Sequence, residues 1–228
     1  MLQVNTRFLD WRSYWHRSAW TYGRPVREMS FESDGSRCAG WHVPAVGSEF
    51  AHADGRGCVV MARGVPGFRD PDVIAYAAAF SAAGLEVLLF DYRGSLTGRW
   101  GAARRHRRDF QAAVAAARRL PGVNPERIVL WGSTPTAEHV LPVAAADGRV
   151  AAALVLHRMS STATSGRRDR QTPAVSCPVL LQFVAADDLP VVEEHLEFLR
   201  RRLPLRAQPT VAQMRRTLSV SGTFTPNE

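Results

Sequence analysis

The sequence predicts an α/β protein with a mostly parallel central sheet and helices on both of its faces. Short, continuous apolar runs with the length of buried strands recur along the chain, and stretches with the apolar periodicity of amphipathic helices lie between them. Buried strands that alternate with helices pair in parallel, because each helix carries the chain back across a face of the sheet.

The first elements predicted are the strands of an antiparallel hairpin. Residues 26–32 and 37–43 alternate apolar and polar positions, and Ser33-Asp-Gly-Ser36 between them has the composition of a hairpin turn. This hairpin is expected to extend one edge of the sheet. Residues 1–25, before it, form an aromatic-rich N-terminal segment.

The parallel part of the sheet is predicted from five apolar strands with helices between them. The strands are 58–62, 86–91, 127–131, 150–156 and 178–184. The helices are 72–83, one whose apolar face runs from Phe110 to Leu120, one that ends near Ala146, and 191–203. We therefore assign 26–203 to one domain and 204–228 to an irregular tail with weak periodicity.

Composition limits the class of protein. With 228 residues, of which 46% are hydrophobic and 22% charged, the chain has the balance of a soluble globular domain. No apolar run reaches the roughly 18 residues of a membrane span, and no signal peptide is recognisable, so we expect a cytoplasmic protein. The three cysteines lack metal-type spacing and no nucleotide-binding glycine motif occurs, so we expect no metal and no cofactor.

The chain is arginine-rich, with a net charge of +8 and no lysine. Its densest basic run, residues 104–108, begins a predicted helix and is interpreted as a solvated face. No helix-turn-helix, RNA-recognition or zinc-finger pattern accompanies it, so specific nucleic-acid binding is not expected. A basic nucleic-acid-binding protein is the remote alternative.

Four segments carry a family resemblance: Val59–Gly67, Phe90-Asp-Tyr-Arg-Gly94, Asn124–Gly132 and Cys177-Pro-Val-Leu-Leu181. In these segments the chain resembles bacterial α/β-hydrolases of the serine aminopeptidase and X-Pro dipeptidyl-peptidase type. The resemblance implies a serine hydrolase acting on ester, amide or peptide bonds of a small-molecule substrate. Such hydrolases hold their nucleophile in a G-x-S-x-G turn between a strand and a helix.

The resemblance assigns the nucleophile position to Thr134, within Gly132-Ser-Thr-Pro-Thr136. The strained positive φ of this turn is unfavourable for a β-branched residue, and the following Pro135 favours extended backbone at Thr134. Ser133 is the fallback nucleophile, one residue out of register. The alternative interpretation gives both hydroxyls a structural role in a turn or a helix N-cap.

The other catalytic groups implied by the resemblance are incomplete. The oxyanion hole would use the backbone N–H of Val65 and that of residue 135, but a proline has no N–H. Arg63 stands where the family has histidine, and we interpret it as a solvated loop charge, with binding of an anionic substrate as the alternative. Asp187, next to Asp188, occupies the position of the family's acid.

No histidine stands where the family has its base. His195, the only histidine after Asp187, has helix-face spacing; His139 is expected to pack behind the turn, and His157 is the other local candidate. The family's last strand and histidine loop have no recognisable counterpart, and the segment before the strand at 178 is too short for a folded lid.

We therefore predict a degenerate, C-terminally truncated hydrolase whose catalysis is impaired or lost. The alternative is a weakly active hydrolase that attacks with Thr134 or Ser133, with Asp187 orienting a base and Val65 as one oxyanion donor. An edge strand lost from the sheet would expose backbone donors and apolar surface, so self-association is also expected.

Overall fold

The computed structural model describes residues 26–63, 71–93, 102–134, 136–159, 173–185 and 192–203. Seven strands and four α-helices lie in these residues. The strands are β1 (Arg27–Ser33), β2 (Ser36–Val43), β3 (Arg56–Ala62), β4 (Glu86–Phe90), β5 (Val123–Ser133), β6 (Val150–Met159) and β7 (Val179–Ala185). The helices are α1 (Pro71–Ala83), α2 (Ala102–Ala117), α3 (Ala137–Ala146) and α4 (Val192–Arg202).

The seven strands form one sheet in the order β1-β2-β4-β3-β5-β6-β7. Strand β2 pairs antiparallel with both β1 and β4, whereas the pairs from β4 through β7 are parallel. The predicted α/β class, with its N-terminal hairpin at one edge of the sheet, is therefore confirmed.

The hairpin turn forms for a local reason. Asp34 and Gly35 both have positive φ, 47° and 70°, and Ser33 pairs with Ser36 across the turn. Two successive residues with positive φ give the turn whose twist matches that of antiparallel strands, and Asp-Gly is a favoured pair for it.

Helices cover both faces of the sheet, as predicted. On one face α1 and α4 pack on the strands through a cluster of buried apolar side chains, among them Tyr76, Phe80, Trp131, Leu196 and Leu199. On the other face α2 and α3 do the same through Phe110, Val114, Leu130, Val140 and Val155. Consecutive strand residues alternate between the two clusters, because successive side chains point to opposite faces.

Two strands are longer than their apolar runs. Strand β5 begins at Val123 rather than Arg127, because Val123 pairs with Arg56 beyond an irregularity in the register. Strand β6 continues past Leu156 to Met159, where it pairs with the end of β7. Pairing with a neighbour extended these strands into polar sequence, where apolar content gives no signal.

Several expectations fall on other parts of the chain. Residues 1–25, 160–172 and 204–228 lie outside the described residues, so the division into segments and the missing lid stay predictions. Within the described part, no helix is long and apolar enough to cross a membrane.

Candidate active site

The candidate site lies at the carboxyl ends of the parallel strands. In open α/β sheets ligands bind at this edge, because the loops that leave the strands converge there. Strand β5 ends at Ser133, and α3 begins four residues later at Ala137. The predicted strand, turn and helix are therefore present, and Thr134 lies in the turn.

Gly132 allows the helix to approach the strand closely. A Cβ atom at this position would lie 2.7 Å from Cγ2 of Val140 and 3.3 Å from both the Cα and the N of Ala137. A distance of 2.7 Å is too short for two carbon atoms, so any larger residue would push α3 away from β5.

Ser133 is part of the sheet. Its relative exposure is 1%, and it pairs with Leu156 of β6. Its carbonyl oxygen accepts hydrogen bonds from the backbone N–H of Thr136, at 2.6 Å, and from the Thr136 hydroxyl, at 2.8 Å. The turn is therefore closed over Ser133, whose side chain is not presented to solvent.

Thr134 is half-buried and continues the direction of β5. Its backbone N–H donates a hydrogen bond to the carbonyl of Leu156, at 3.1 Å. Among the described residues, Asp34 is the one non-glycine residue with positive φ, so Thr134 lacks the left-handed conformation of a nucleophile turn. This geometry is the one that a β-branched residue before proline favours.

The N-cap of α3 is Thr136, so the N-cap role considered for Ser133 and Thr134 was wrong, whereas Thr134 does lie in the turn. Its hydroxyl makes no capping bond to the helix, because it donates back to the carbonyl of Ser133. The backbone N–H of His139 instead bonds the Thr136 carbonyl, at 3.1 Å.

Arg63 is not a solvated loop charge; this interpretation was wrong. Its guanidinium makes a two-pronged ion pair with Asp91, with Nε–Oδ1 at 2.8 Å and Nη2–Oδ2 at 2.7 Å. It also lies over the Trp41 ring, 4.6 Å from the ring centre. Since Arg63 follows β3 and Asp91 follows β4, the ion pair ties together two loops at the carboxyl edge.

The arginine of the Phe90–Gly94 motif has a structural role. Arg93 Nε donates to Asp109 of α2, at 2.8 Å, and the backbone N–H of Arg93 bonds the other oxygen of the same carboxylate, at 3.1 Å. Ser33, at the end of β1, donates to Asp109 at 2.7 Å. The buried carboxylate therefore joins β1, the end of β4 and α2.

His195, on α4, is fully buried in the hydrophobic core. Its Nδ1 accepts a hydrogen bond from the indole of Trp131, at 3.3 Å, and its ring packs against those of Tyr76 and Phe80. Burial lowers its pKa to about 4. His195 is therefore a neutral, buried histidine on the inner face of its helix, as its spacing in the sequence predicted.

Two further histidines lie beneath the turn with a tyrosine. The rings of Tyr92, His106 and His139 have centres 4.7 to 5.5 Å apart, and all three side chains are buried. Burial lowers the pKa of His139 to about 4 and also lowers the pKa of His106. Sequence analysis missed the roles of His106 and Tyr92. The one available signal was that His106 is the only residue other than arginine in the basic run 104–108.

His157, the remaining candidate for a local base, stacks on Phe183 of β7 with ring centres 5.3 Å apart.

Four predicted site residues lie outside the described residues, so their roles stay predictions: Val65, Pro135, Asp187 and Asp188. Within the described ranges no three His, Cys, Asp or Glu side chains are grouped to hold a metal ion.

No protein-family model matches the chain. A curated protein, quorum-quenching protein AidA of Acinetobacter baumannii (strain MDR-ZJ06), is 39% identical over 101 residues, which cover 42% of this chain and 33% of that protein. The chain thus spans about a third of the length of this curated relative.

Solved structures are similar in fold. The zinc-bound structure of a cold-adapted esterase from an Arctic intertidal metagenomic library has a TM-score of 0.54 and 16% identity, covering 79% of this chain and 94% of the esterase. Est1E from Butyrivibrio proteoclasticus has a TM-score of 0.46 and 17% identity, and the match spans 57% of this chain and 50% of Est1E. The strand order, the strand, turn and helix at β5 and the likeness to the cold-adapted esterase show that the chain has an α/β-hydrolase-like fold.

Proposed function

We propose that this protein is a hydrolase-derived member of its fold family in which ester and amide hydrolysis is lost or strongly impaired. The observation that carries the proposal is the backbone of Thr134. A nucleophile in a strained turn presents its side chain to the substrate, and the next N–H stabilises the oxyanion. Thr134 instead donates its own backbone N–H to the carbonyl of Leu156, as a continuation of the pairing of β5. The next residue is a proline, which has no backbone N–H to donate to an oxyanion.

The neighbouring hydroxyl and histidines support the same conclusion. Ser133 is buried within β5, so a carbonyl carbon has no approach to its oxygen. His195 and His139 are buried, and burial lowers the pKa of each to about 4, so both imidazoles are neutral and neither is presented to solvent. Loss of one oxyanion donor alone costs about 3 kcal/mol of transition-state stabilisation.

A weakly active hydrolase is the second candidate, and the position of Thr134 favours it. The residue is half-buried at the carboxyl edge of the sheet, where a small-molecule ester or amide would bind. His157 follows Leu156, whose carbonyl receives the Thr134 N–H, so we propose His157 as the local base of this second candidate.

Hydrolysis of p-nitrophenyl acetate and butyrate separates the two candidates. We expect purified, folded protein to show no turnover above background, or a slow turnover that Thr134→Ala and Ser133→Ala leave unchanged. Turnover that disappears in one of these variants would refute the proposal and identify the nucleophile. Matching circular dichroism spectra of the variants and the wild type would exclude unfolding as the cause.

The name of the curated relative suggests a biological assay for this protein. Because 101 residues are 39% identical to a protein named for quorum quenching, we propose a quorum-quenching assay with a bacterial reporter strain. Quenching that survives both Thr134→Ala and Ser133→Ala would indicate ligand binding without catalysis by either hydroxyl. We place the protein in the cytoplasm, which fractionation of the source cells would test.

A further inference from the structure

The outer side of α2 carries a dense group of arginines, which we call the arginine patch. Its four members lie on the first two turns of the helix, and all four are exposed: Arg104, Arg105, Arg107 and Arg108. His106 and Asp109, on the inner side of the same turns, are buried. Because residues three and four apart are neighbours on a helix surface, Arg104, Arg107 and Arg108 form one row of charge, and Arg105 lies beside it.

The described chain leaves most of this charge unpaired. Arg108 makes an ion pair with Asp34, at 3.0 Å, but its side chain stays 54% exposed. Within the described residues, no hydrogen bond or ion pair engages the other three arginines of the patch. Asp109, the one acid of α2, is buried and already pairs with Arg93. The sequence from 93 to 108 contains six arginines and no acidic residue, so it supplies no local neutralisation.

The arginine patch is unfavourable for the helix that carries it. The backbone dipoles of a helix leave partial positive charge at its N-terminus, where acidic side chains are stabilising and basic ones are not. Helix α2 has arginines and no acid in its first turn, and no basic residue in its last turn, which is the reverse of the favourable arrangement. Like charges three and four residues apart also repel each other. Since local rules are broken mainly where function requires it, this costly arrangement indicates an anionic partner.

The chemistry of the patch favours a nucleic-acid backbone as this partner. Guanidinium groups bind phosphate oxygens in two-pronged pairs, and a DNA duplex presents about one phosphate charge per 1.7 Å of its axis. An anionic membrane is a poorer match, because helices that bind membrane surfaces insert apolar side chains opposite their basic ones. Helix α2 offers none of these: the large hydrophobic residues exposed in the described chain are Val46, Leu181 and Phe183.

We propose that the arginine patch binds the phosphate backbone of nucleic acids without reading the base sequence. Arg104, Arg105 and Arg107 contact phosphates, and Arg108 stays paired with Asp34. Phosphate contacts hold a protein on a nucleic acid but carry no sequence information, which agrees with the absence of a base-reading motif from the sequence. The dissociation constant is in the range of about 1 to 100 µM at physiological salt. The inference is independent of the proposed loss of catalysis.

Fluorescence anisotropy with a short labelled DNA duplex, measured over a series of salt concentrations, tests the proposal. Each phosphate contact lowers the logarithm of the association constant by about 0.9 for every tenfold rise in salt, so three contacts predict a slope of about −2.7. Affinity is then expected to fall about fortyfold between about 50 and 200 mM salt. A second duplex of unrelated sequence should bind equally well. Absence of binding in about 50 mM salt, or a strong preference for one sequence, overturns the proposal.

Two double variants that remove the same charge locate the binding surface. Arg104→Gln/Arg107→Gln is expected to make the slope shallower by about 1.8, because two phosphate contacts are lost. Its thermal midpoint should equal or exceed that of the wild type, since both arginines are exposed and unfavourable near the start of α2. Arg201→Gln/Arg202→Gln is the matched control, on exposed positions of α4 across the sheet, and should leave the slope unchanged. Equal effects of the two double variants contradict binding at the patch.

Two further ligands distinguish a nucleic acid from other anionic partners. Phosphatidylserine vesicles represent a membrane surface, and polyglutamate represents an acidic protein segment. At equal concentrations of negative charge, both are expected to bind more weakly than the duplex. Equal or tighter binding of either one would assign the arginine patch to that class of partner and overturn the proposal.

Discussion

The indole N–H of Trp131 donates a hydrogen bond to Nδ1 of His195, across 3.3 Å in the interior between β5 and α4. The bond requires Nδ1 to be an acceptor, so the neutral imidazole carries its proton on Nε2. Nε2 is buried without a partner. A second proton would place a charge in a site lined by Tyr76 and Phe80, which is why burial lowers the pKa of His195 to about 4.

The first prediction concerns acid stability. The pKa of His195 is about 4 in the folded protein and 6.5 for an ordinary histidine. Below pH 6.5 the unfolded chain therefore binds the proton more readily, and stability is lost as pH falls from 6.5 to 4. The full loss from one such histidine is about 3 kcal/mol. Urea unfolding at pH 7.5, 5.5 and 4.5 measures this loss.

Replacement of His195 isolates its contribution from those of other acid-sensitive groups. In His195→Asn the amide oxygen can still accept from Trp131, but the side chain does not titrate. We expect the variant to lose less stability than the wild type between pH 7.5 and 4.5. Parallel pH profiles for the two proteins would show that His195 is not protonated on unfolding.

The second prediction concerns Glu86, at the start of β4. Its Oε2 accepts from His42 Nε2 at 2.7 Å and from the backbone N–H of Ala45 at 3.1 Å. Burial opposes ionisation, but these hydrogen bonds hold the pKa of the carboxyl below its ordinary value. Glu86→Gln is expected to reduce the free energy of unfolding by about 1–3 kcal/mol at pH 7, because it weakens two buried bonds.

An exposed ion pair is the control for Glu86. Glu126 pairs with Arg149, and both side chains are more than half exposed, at 59% and 55%. Solvent screens this pair, so Glu126→Gln is expected to cost clearly less stability than Glu86→Gln. Chemical denaturation of both variants at pH 7 compares them, and a larger cost for Glu126→Gln would contradict the reasoning from burial.

The sequence predicted the fold well because its core strands are nearly pure apolar runs. Cys58–Ala62 and Glu86–Phe90 are buried on both faces of the sheet, so their pattern required no knowledge of their neighbours. The hairpin turn at Asp34 and Gly35 was equally local. The ends of β5 and β6 were not predicted, because pairing with another strand determines them.

The site was harder to predict because its interactions connect distant parts of the chain. The ion pair of Arg63 with Asp91 joins residues 28 apart, and the bond of Trp131 to His195 joins residues 64 apart. The spacing of apolar residues placed His195 on a helix face. It gave no indication that His195 accepts a hydrogen bond from the Trp131 indole. The non-strained backbone of Thr134, in contrast, was expected from local chemistry, since Pro135 follows it.

The third prediction concerns the ion pair at the carboxyl edge. Arg63 and Asp91 have side-chain exposures of 18% and 15%, so solvent screens their interaction only partly. Arg63→Lys keeps the charge but loses the planar two-pronged contact and the packing over Trp41. We expect it to cost about 1–2 kcal/mol of stability.

A double-mutant cycle with Arg63→Ala and Asp91→Ala measures the coupling directly. We expect a coupling free energy of about 1–2 kcal/mol from the two-pronged, partly buried pair. Additive effects of the two substitutions would show that the pair contributes nothing beyond the separate side chains.

The fourth prediction concerns Gly132, which lets α3 pack against the end of β5. The added methyl of Gly132→Ala would lie 2.7 Å from Val140 Cγ2, and Val140 is a short, branched and fully buried side chain that cannot swing aside. The helix must move, so we expect a loss of about 1–3 kcal/mol in the free energy of unfolding. Gly148→Ala is the matched control: its methyl would meet nothing within 4 Å, and its effect should stay within about 1 kcal/mol of zero. Urea denaturation of the two variants measures the difference, and equal stabilities would mean that α3 can move away from β5 without loss of packing.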